Sequence, residues 1–158
     1  MVIPNPLKLY LDTSIFNFAI STQDVPHEKE ITLKFLDSIK QGIFLGYVSA
    51  IVLREINDAP PKKRSDLLKL MEQFELETLS RTAEVDLLAE RYIQEKIIPP
   101  KHTDDALHIA IASVHNLDVI VSWNFEHLVK MKTRREVQAV NVLMGYKGIE
   151  ICSPQEIM

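Results

Sequence analysis

Apolar residues are densest between positions 103 and 124, where the sequence is TDDALHIAIASVHNLDVIVSWN. Positions 106–114 are apolar almost without interruption, and such a segment is typical of a helix buried on every side. Thr103 is a favourable cap for the start of this helix, and Asn116 is suited to end it. The β-branched run Val119–Val121, with polar residues on both sides, predicts a short strand buried in a parallel sheet.

Strands and helices alternate along the rest of the chain. Short apolar runs predict strands over residues 7–11, 43–48, 75–79 and 149–152. The spacing of apolar residues predicts helices over 25–41, 50–59, 62–74 and 83–95, a helix start after Asp12, and a helical or looped segment over 125–142. This alternation favours a single α/β domain over residues 1–158, with a mainly parallel sheet flanked by helices.

The composition is that of an ordinary soluble protein, with 46% hydrophobic and 25% charged residues. The single cysteine, Cys152, excludes an internal disulfide and suits a reducing cytosol. The first residues, MVIPNPLKLYLD, lack the pattern of a secretion signal, and no apolar run approaches the ~20 residues that span a bilayer. The net charge of −4 gives no overall attraction to nucleic acid, so a polyanion requires a local basic patch or metal ions.

Two adjacent acids, Asp104 and Asp105, open the buried helix. One acid in a first helical turn is explained by the helix dipole, which stabilises it by about 0.3–1 kcal/mol. Two in a row are explained less well, because neighbouring like charges oppose each other. From this pattern alone, a structural and a functional explanation are equally good.

Asp12 follows the first predicted strand directly. It could serve simply as a helix N-cap, but Thr13 and Ser14 could cap equally well, which weakens that explanation. In parallel α/β sheets, ligands bind beyond the carboxyl ends of the strands, where Asp12 stands. Asp12 is therefore a candidate site residue.

Glu55 shares a helical stripe with Ile51 and Val52, which lie four and three residues before it. A carboxylate on an apolar stripe is costly to bury unless it is paired or bound to a metal. Pairing with Arg54 or Lys63 is the structural explanation, and we favour the functional one. Several carboxylates brought together need positive charge between them, and oxygen ligands without a His or Cys cluster favour Mg²⁺ or Mn²⁺. Such ions serve the hydrolysis of phosphodiesters.

The elements LYLDTSIF, SAIVLREI, DDALHIAIA and VIVSWNFEHL occur in this order and span nearly the whole chain. The ordered set resembles the PIN-domain family and, within it, the VapC-like toxins of bacterial and archaeal toxin–antitoxin pairs. The resemblance implies a three-layer α/β fold and a cytoplasmic endoribonuclease that depends on Mg²⁺ or Mn²⁺. It also implies an RNA substrate and an antitoxin protein as partners, and it leaves a homodimer open.

Carried over by position, the resemblance implies three metal-binding catalytic acids, Asp12, Glu55 and Asp105. Supporting roles fall to Ser14, Asp104 and Asn124. Asn124 stands where the family frequently has a further acid. Because Asn keeps an oxygen ligand but loses the charge, a second metal ion is expected to bind more weakly. The alternative function is therefore a catalytically weakened PIN-like module that binds RNA or a protein partner without cleaving it.

Three further features of the sequence have both a functional and a structural explanation. His108 could pair with Asp104 or Asp105, but a histidine on a buried helix is more often a satisfied core residue. Trp123 could stack on an RNA base or pack against the strand end. A basic cluster could hold RNA phosphates or form a solvated face, and it consists of Lys130, Lys132, Arg134 and Arg135.

A phosphate-accepting regulator or phosphatase would also use an aspartate at a strand end. Such proteins usually place a second acid beside it and a lysine at a late strand end. Thr13, Ser14 and Ser122 stand at those positions here and supply neither. This class is a distant third hypothesis.

Overall fold

A five-stranded sheet forms the centre of the computed structural model, which describes residues 5–158. The strands are β1 (Lys8–Leu11), β2 (Leu45–Ser49), β3 (Leu76–Leu79), β4 (Val119–Val121) and β5 (Glu150–Cys152). They lie in the order β3-β2-β1-β4-β5, and every neighbouring pair is parallel. The prediction of an α/β fold with a mainly parallel sheet is confirmed.

Eight helices of the described residues flank this sheet. They are α1 (Thr13–Ala19), α2 (Pro26–Lys40), α3 (Ala50–Asn57), α4 (Pro61–Met71), α5 (Ala83–Gln94), α6 (Thr103–Val114), α7 (Met131–Leu143) and α8 (Pro154–Ile157). A 3-10 turn, Pro100–His102, precedes α6. Among residues 5–158, none of the helices combines the length and apolar character needed to cross a membrane.

The strand order reverses direction between β1 and β4. The chain builds outwards from β1 to β2 and β3, then returns to place β4 on the other side of β1. Leu11 pairs with Val121 at the ends of these two strands, so the residues that follow them, Asp12 and Ser122, emerge side by side. Such a switch point is where ligands bind in open parallel sheets.

Helix α6 is buried along almost its whole length, as predicted. Every residue from Ala106 to Ser113 is buried, and the helix packs against α5. Asn116 ends it with a φ of 58°, and its backbone N–H donates to the carbonyl of Ser113 at 3.1 Å. The predicted cap at Thr103 is wrong, because the hydroxyl of Thr103 donates backwards to the carbonyl of Pro100 at 2.8 Å.

The other element boundaries differ from the predictions by a few residues. Ser49 both ends β2 and caps α3, accepting hydrogen bonds from the backbone of Ile51 and Val52. The helix predicted from residue 62 begins one residue earlier, at Pro61, since proline is tolerated in a first helical turn. The segment predicted as helical or looped over 125–142 contains turns up to residue 130 and then α7.

Candidate active site

Asp12 lies just beyond β1 and is only 4% exposed. One carboxylate oxygen accepts hydrogen bonds from the backbone N–H of Ser14, at 3.2 Å, and from the hydroxyl of Ser14. The other oxygen accepts a hydrogen bond from the hydroxyl of Ser122, beyond β4. Asp12 therefore does cap α1, but it spends only one oxygen on that role. Burial raises the pKa of Asp12, although the charge of His108 and the two hydroxyls favour its ionised form.

Glu55 is held by two donors. Its Oε1 accepts a hydrogen bond from the hydroxyl of Thr13 at 2.8 Å and lies 2.7 Å from Nε2 of His108. The alternative partners considered for Glu55 do not hold it, because Arg54 pairs with Asp104 instead. Burial opposes the ionisation of Glu55, but the contact with His108 outweighs it and lowers the pKa of Glu55.

His108 is a buried connector between the core and this carboxylate. The side chain is 2% exposed, and its Nδ1 lies 2.6 Å from the hydroxyl of Tyr10, which in turn lies 2.7 Å from the hydroxyl of Ser49. Its role as a satisfied core residue agrees with the sequence interpretation, but its acidic partner is Glu55. Burial lowers the pKa of His108, and the hydrogen bond and charge of Glu55 more than offset this, so the net shift is upwards.

Asp105 projects from the first turn of α6. Its Oδ1 accepts a hydrogen bond from the amide nitrogen of Asn124 at 3.3 Å, and its Oδ2 lies 4.0 Å from Nδ1 of His102. Burial raises the pKa of Asp105, and the charge of Glu55 raises it further. The charges of three histidines, His108, His127 and His102, act in the opposite direction.

The side-chain amide of Asn124 bridges two neighbours, and its nitrogen, not its oxygen, faces Asp105. Its Oδ1 accepts a hydrogen bond from the backbone N–H of His127 at 3.0 Å, so its amide nitrogen is left to face Asp105. Its own backbone N–H donates to the hydroxyl of Ser122 at 2.9 Å. The oxygen ligand expected from Asn124 is thus engaged by the backbone of His127 here, and its role at a metal site stays a prediction.

A cavity of about 370 Å³ opens next to Glu55 and Asp105. Its lining consists of Glu55, Lys101, His102, Thr103, Asp104 and Asp105. Asp104, expected to assist the metal-binding acids, is committed to its ion pair with Arg54. Lys101 is exposed at this cavity and was not singled out from the sequence.

Of the two alternatives for Trp123, the structure favours packing against the strand end over stacking on RNA. The side chain is 6% exposed, its Nε1 donates to the hydroxyl of Thr32 at 2.7 Å, and its ring stacks on Phe18 with centroids 5.4 Å apart. In the basic cluster, Arg134 makes two hydrogen bonds to Glu156, at 3.1 and 2.6 Å. The other members, Lys130, Lys132 and Arg135, are exposed.

Two histidines that the sequence interpretation left out lie beside Asp105. The rings of His102 and His127 have centroids 4.0 Å apart, and each histidine offers a nitrogen within 4.8 Å of an oxygen of Asp105. The assumption that no histidine cluster accompanies the acids is therefore wrong. The available signal was their spacing, since His102 precedes Asp105 by three residues and His127 follows Asn124 by three.

Solved structures share this fold. The chain is similar to a structure of VapBC2 from Rickettsia felis bound to a DNA fragment from their promoter, with a TM-score of 0.60 and 15% identity over 93% of this chain and 98% of the other. It is also similar to VapBC-5 of a toxin–antitoxin family from Mycobacterium tuberculosis, with a TM-score of 0.53 and 18% identity over 94% and 99% of the two chains.

A third similar structure is VapC20 from Mycobacterium tuberculosis, described as a sarcin–ricin loop cleaving toxin. The TM-score is 0.53, with 12% identity over 75% of this chain and 92% of the other. No family model and no curated protein matches the sequence. At these identities the similarity concerns the fold, and the predicted PIN-like, VapC-like architecture is confirmed at that level.

Proposed function

We propose that this protein is an endoribonuclease that hydrolyses RNA phosphodiester bonds with Mg²⁺ or Mn²⁺ held by Asp12, Glu55 and Asp105. The observation that carries the proposal is the convergence of carboxylates from three separate elements at the β1–β4 switch point. Thr13, the residue after Asp12, donates a hydrogen bond to Glu55, and Asn124, whose backbone bonds to Ser122, donates one to Asp105. These contacts support a shared acidic pocket. Clustered carboxylates do not stabilise a fold by themselves, so their presence at this edge of the sheet suggests a functional site.

The donor set fits a hard divalent cation. Carboxylate oxygens are the ligands that Mg²⁺ and Mn²⁺ prefer, and the burial of Asp12 and Asp105 disfavours their charge unless a cation compensates it. His108 pairs directly with Glu55, and its single charge also favours the ionised forms of Asp12 and Asp105. The remaining negative charge supports a metal site at this point.

Each acid is held in position by neighbouring groups of the chain. Ser14 and Ser122 fix the two oxygens of Asp12, Thr13 and His108 fix Glu55, and Asn124 fixes Asp105. Such orientation reduces the reorganisation required during the reaction. Divalent ions bound by carboxylates lower the pKa of a coordinated water and neutralise charge on a phosphoryl group.

Two positive side chains lie at or near the cavity where RNA would enter. Lys101 lines it, and Arg54 pairs with Asp104, which also lines it. These cations suit the phosphates on either side of the bond to be cut. In the hydrolysis the water oxygen forms a bond to phosphorus, the ester P–O bond breaks, and the departing oxygen takes up a proton.

The partners follow the same proposal. The similar VapBC-5 structure belongs to a family of toxin–antitoxin systems, which supports an antitoxin protein as a partner of this chain. A single domain over residues 1–158, a cytoplasmic location and a homodimer belong to the proposal as well. At 12% identity, the sarcin–ricin loop specificity of VapC20 does not extend to this chain.

The test is RNA cleavage by the purified protein with Mg²⁺ or Mn²⁺ and after chelation. Asp12→Asn should abolish cleavage, and the matched control Asp24→Asn, an exposed loop acid, should leave it unchanged. Wild-type cleavage by Asp12→Asn, or full cleavage in excess chelator, would contradict the proposal.

A non-catalytic module that binds RNA or protein is the second candidate. Two of the acids already have partners within the protein, which favours this candidate. Glu55 is paired with His108, and the nitrogen of Asn124 faces Asp105. Such a module should bind RNA without cutting it at any metal concentration. The wild-type protein and the Asp12→Asn variant should then bind RNA equally well.

A further inference from the structure

We propose that His102, Asp105 and His127 form a separate site for a divalent transition-metal ion, which selects Mn²⁺, Fe²⁺, Co²⁺, Ni²⁺ or Zn²⁺ over Mg²⁺. The site shares Asp105 with the carboxylate cluster. It is defined by metal binding and does not depend on RNA cleavage.

The three side chains already lie at nearly the spacing of ligands around one ion. One ligand atom from each residue lies within 4.8 Å of those from the other two, and the two imidazole rings are 4.0 Å apart between centroids. Nitrogen and oxygen ligands sit about 2.0–2.2 Å from such an ion, so neighbouring ligands at octahedral or tetrahedral angles are about 2.8–3.6 Å apart. A closure of about 1 Å, within the range of side-chain rotation, completes the site.

The local structure brings the three ligands together. His102 ends the 3-10 turn before α6 and Asp105 stands three residues later, so both lie on one face of the helix start. His127 lies in the turn after β4, where its backbone N–H donates a hydrogen bond to Oδ1 of Asn124. Because the same Asn124 donates to Asp105, one side chain orients two of the ligands.

His127 carries an independent sign of a missing partner. Its side chain is 13% exposed, yet its Nε2 is inaccessible to solvent and has no hydrogen-bond partner among the described residues. The nearest acidic oxygen, on the exposed Glu126, is 3.6 Å away. Buried polar nitrogens are usually satisfied, and a cation coordinated at Nε2 would satisfy this one.

The ligand types determine which cations fit. Two imidazole nitrogens and one carboxylate suit borderline transition metals, whereas Mg²⁺ requires oxygen ligands in near-ideal octahedral geometry. Two histidines and one carboxylate also leave coordination positions open. His102 and Asp105 line the same cavity as Glu55, so those positions are accessible to a ligand in that cavity.

The experiment is a titration of the metal-free protein with Co²⁺, followed by visible absorption, and with Zn²⁺, followed by calorimetry. We expect one tight ion in the presence of excess Mg²⁺. His127→Gln and His102→Gln should each weaken it about 10–100-fold or more, whereas the exposed-site control His27→Gln should bind as wild type. Circular dichroism of each variant establishes that it is folded.

Two further variants separate this site from the carboxylate cluster. Asp12→Asn should retain the Co²⁺ spectrum, and Asp105→Asn should lose it. Equal Co²⁺ affinity of wild type and both histidine variants would overturn the site, as would loss of binding in Asp12→Asn alone. If the wild-type protein binds Co²⁺ as expected but cleaves no RNA with Mg²⁺ or Mn²⁺, the endoribonuclease proposal alone is contradicted.

Discussion

The hydroxyl of Ser122 donates a hydrogen bond to Asp12, a residue 110 positions earlier in the chain. The contact exists because β1 and β4 are adjacent and parallel, and it joins the two strand ends on either side of the switch point. Ser122 is fully buried, so water cannot take its place as a donor.

Ser122→Ala should destabilise the protein. Asp12 would lose one of its donors while remaining buried, so its pKa should rise further above the ordinary value. We expect the free energy of unfolding at neutral pH to fall by about 1–3 kcal/mol, as for a buried acceptor left unsatisfied. Urea denaturation measures this, with the exposed-site variant Ser65→Ala as the control. An equal loss in both variants would contradict the importance of the Ser122–Asp12 contact.

Asp12→Asn should have the opposite sign in metal-free protein. Because the folded pKa of Asp12 is raised above its unfolded value, its ionisation opposes folding, and stability rises as the pH falls through the folded pKa. Removing the charge should leave the thermal midpoint at neutral pH unchanged or higher. The same variant should lose this part of the rise in stability on acidification. A clearly lower midpoint at neutral pH would show that the ionised Asp12 stabilises the fold.

Asn124→Asp tests whether an acid at this position, where the PIN-domain family frequently has one, strengthens metal binding. It replaces a donor to Asp105 with a second carboxylate, so the pKa of Asp105 should rise and the metal-free protein should lose stability. With metal present the added charge becomes useful, so a weakly bound second ion should bind more tightly and cleavage at low metal concentration should increase. Metal should also raise the midpoint of the variant more than that of the parent.

Calorimetric metal titration, run beside RNA cleavage, measures both effects of Asn124→Asp. Asn124→Ala is the matched control, since it removes the same amide without adding charge. Unchanged metal affinity and cleavage in Asn124→Asp would exclude this position from the metal site.

His108→Gln should remove a pH-dependent stabilisation. The folded pKa of Glu55 is lowered, so its contribution is lost as the pH falls through that pKa. The folded pKa of His108 is raised, so its contribution is complete below the ordinary histidine value and is lost as the pH rises through the folded pKa. The pair therefore stabilises most between these two values, and wild-type stability should fall as the pH rises beyond the raised pKa of His108.

The expected loss in His108→Gln is about 2–3 kcal/mol inside that window. It lies below the about 3–5 kcal/mol found when a fully buried pair is broken, because the Glu55 side chain is 31% exposed. Chemical denaturation as a function of pH measures it, with His115→Gln as the control. A parallel pH profile of His108→Gln and wild type would contradict the charged pair.

The sequence predicted the sheet and the buried helix because their patterns are local. The run Val119–Val121 and the apolar segment of α6 contain their own periodicity, and the place of Asp12 follows from the strand before it. The pairing of Glu55 with His108 depends on how α3 packs against α6, which no local pattern encodes. His127 reaches Asp105 only through the turn after β4, which Asn124 shapes.

Trp123 illustrates the reverse case, a contact that the sequence suggested and the structure does not make. An aromatic residue beside candidate ligands suggested a base-stacking surface, but Phe18 and Thr32, from distant parts of the chain, enclose it. Whether an aromatic side chain faces solvent is decided by such long-range packing. The sequence around Trp123 contains no sign of it.

The pairing of β1 with β4 also sets an order of events during synthesis. Asp12 leaves the ribosome early, but the strand and the hydroxyl that hold it are encoded more than 100 residues later. Until β4 has emerged, β1 lacks its neighbour on one side, and Asp105 lacks the amide of Asn124. A nascent or prematurely terminated chain therefore carries the acids without their arrangement, and the finished centre arises only after most of the polypeptide has been made.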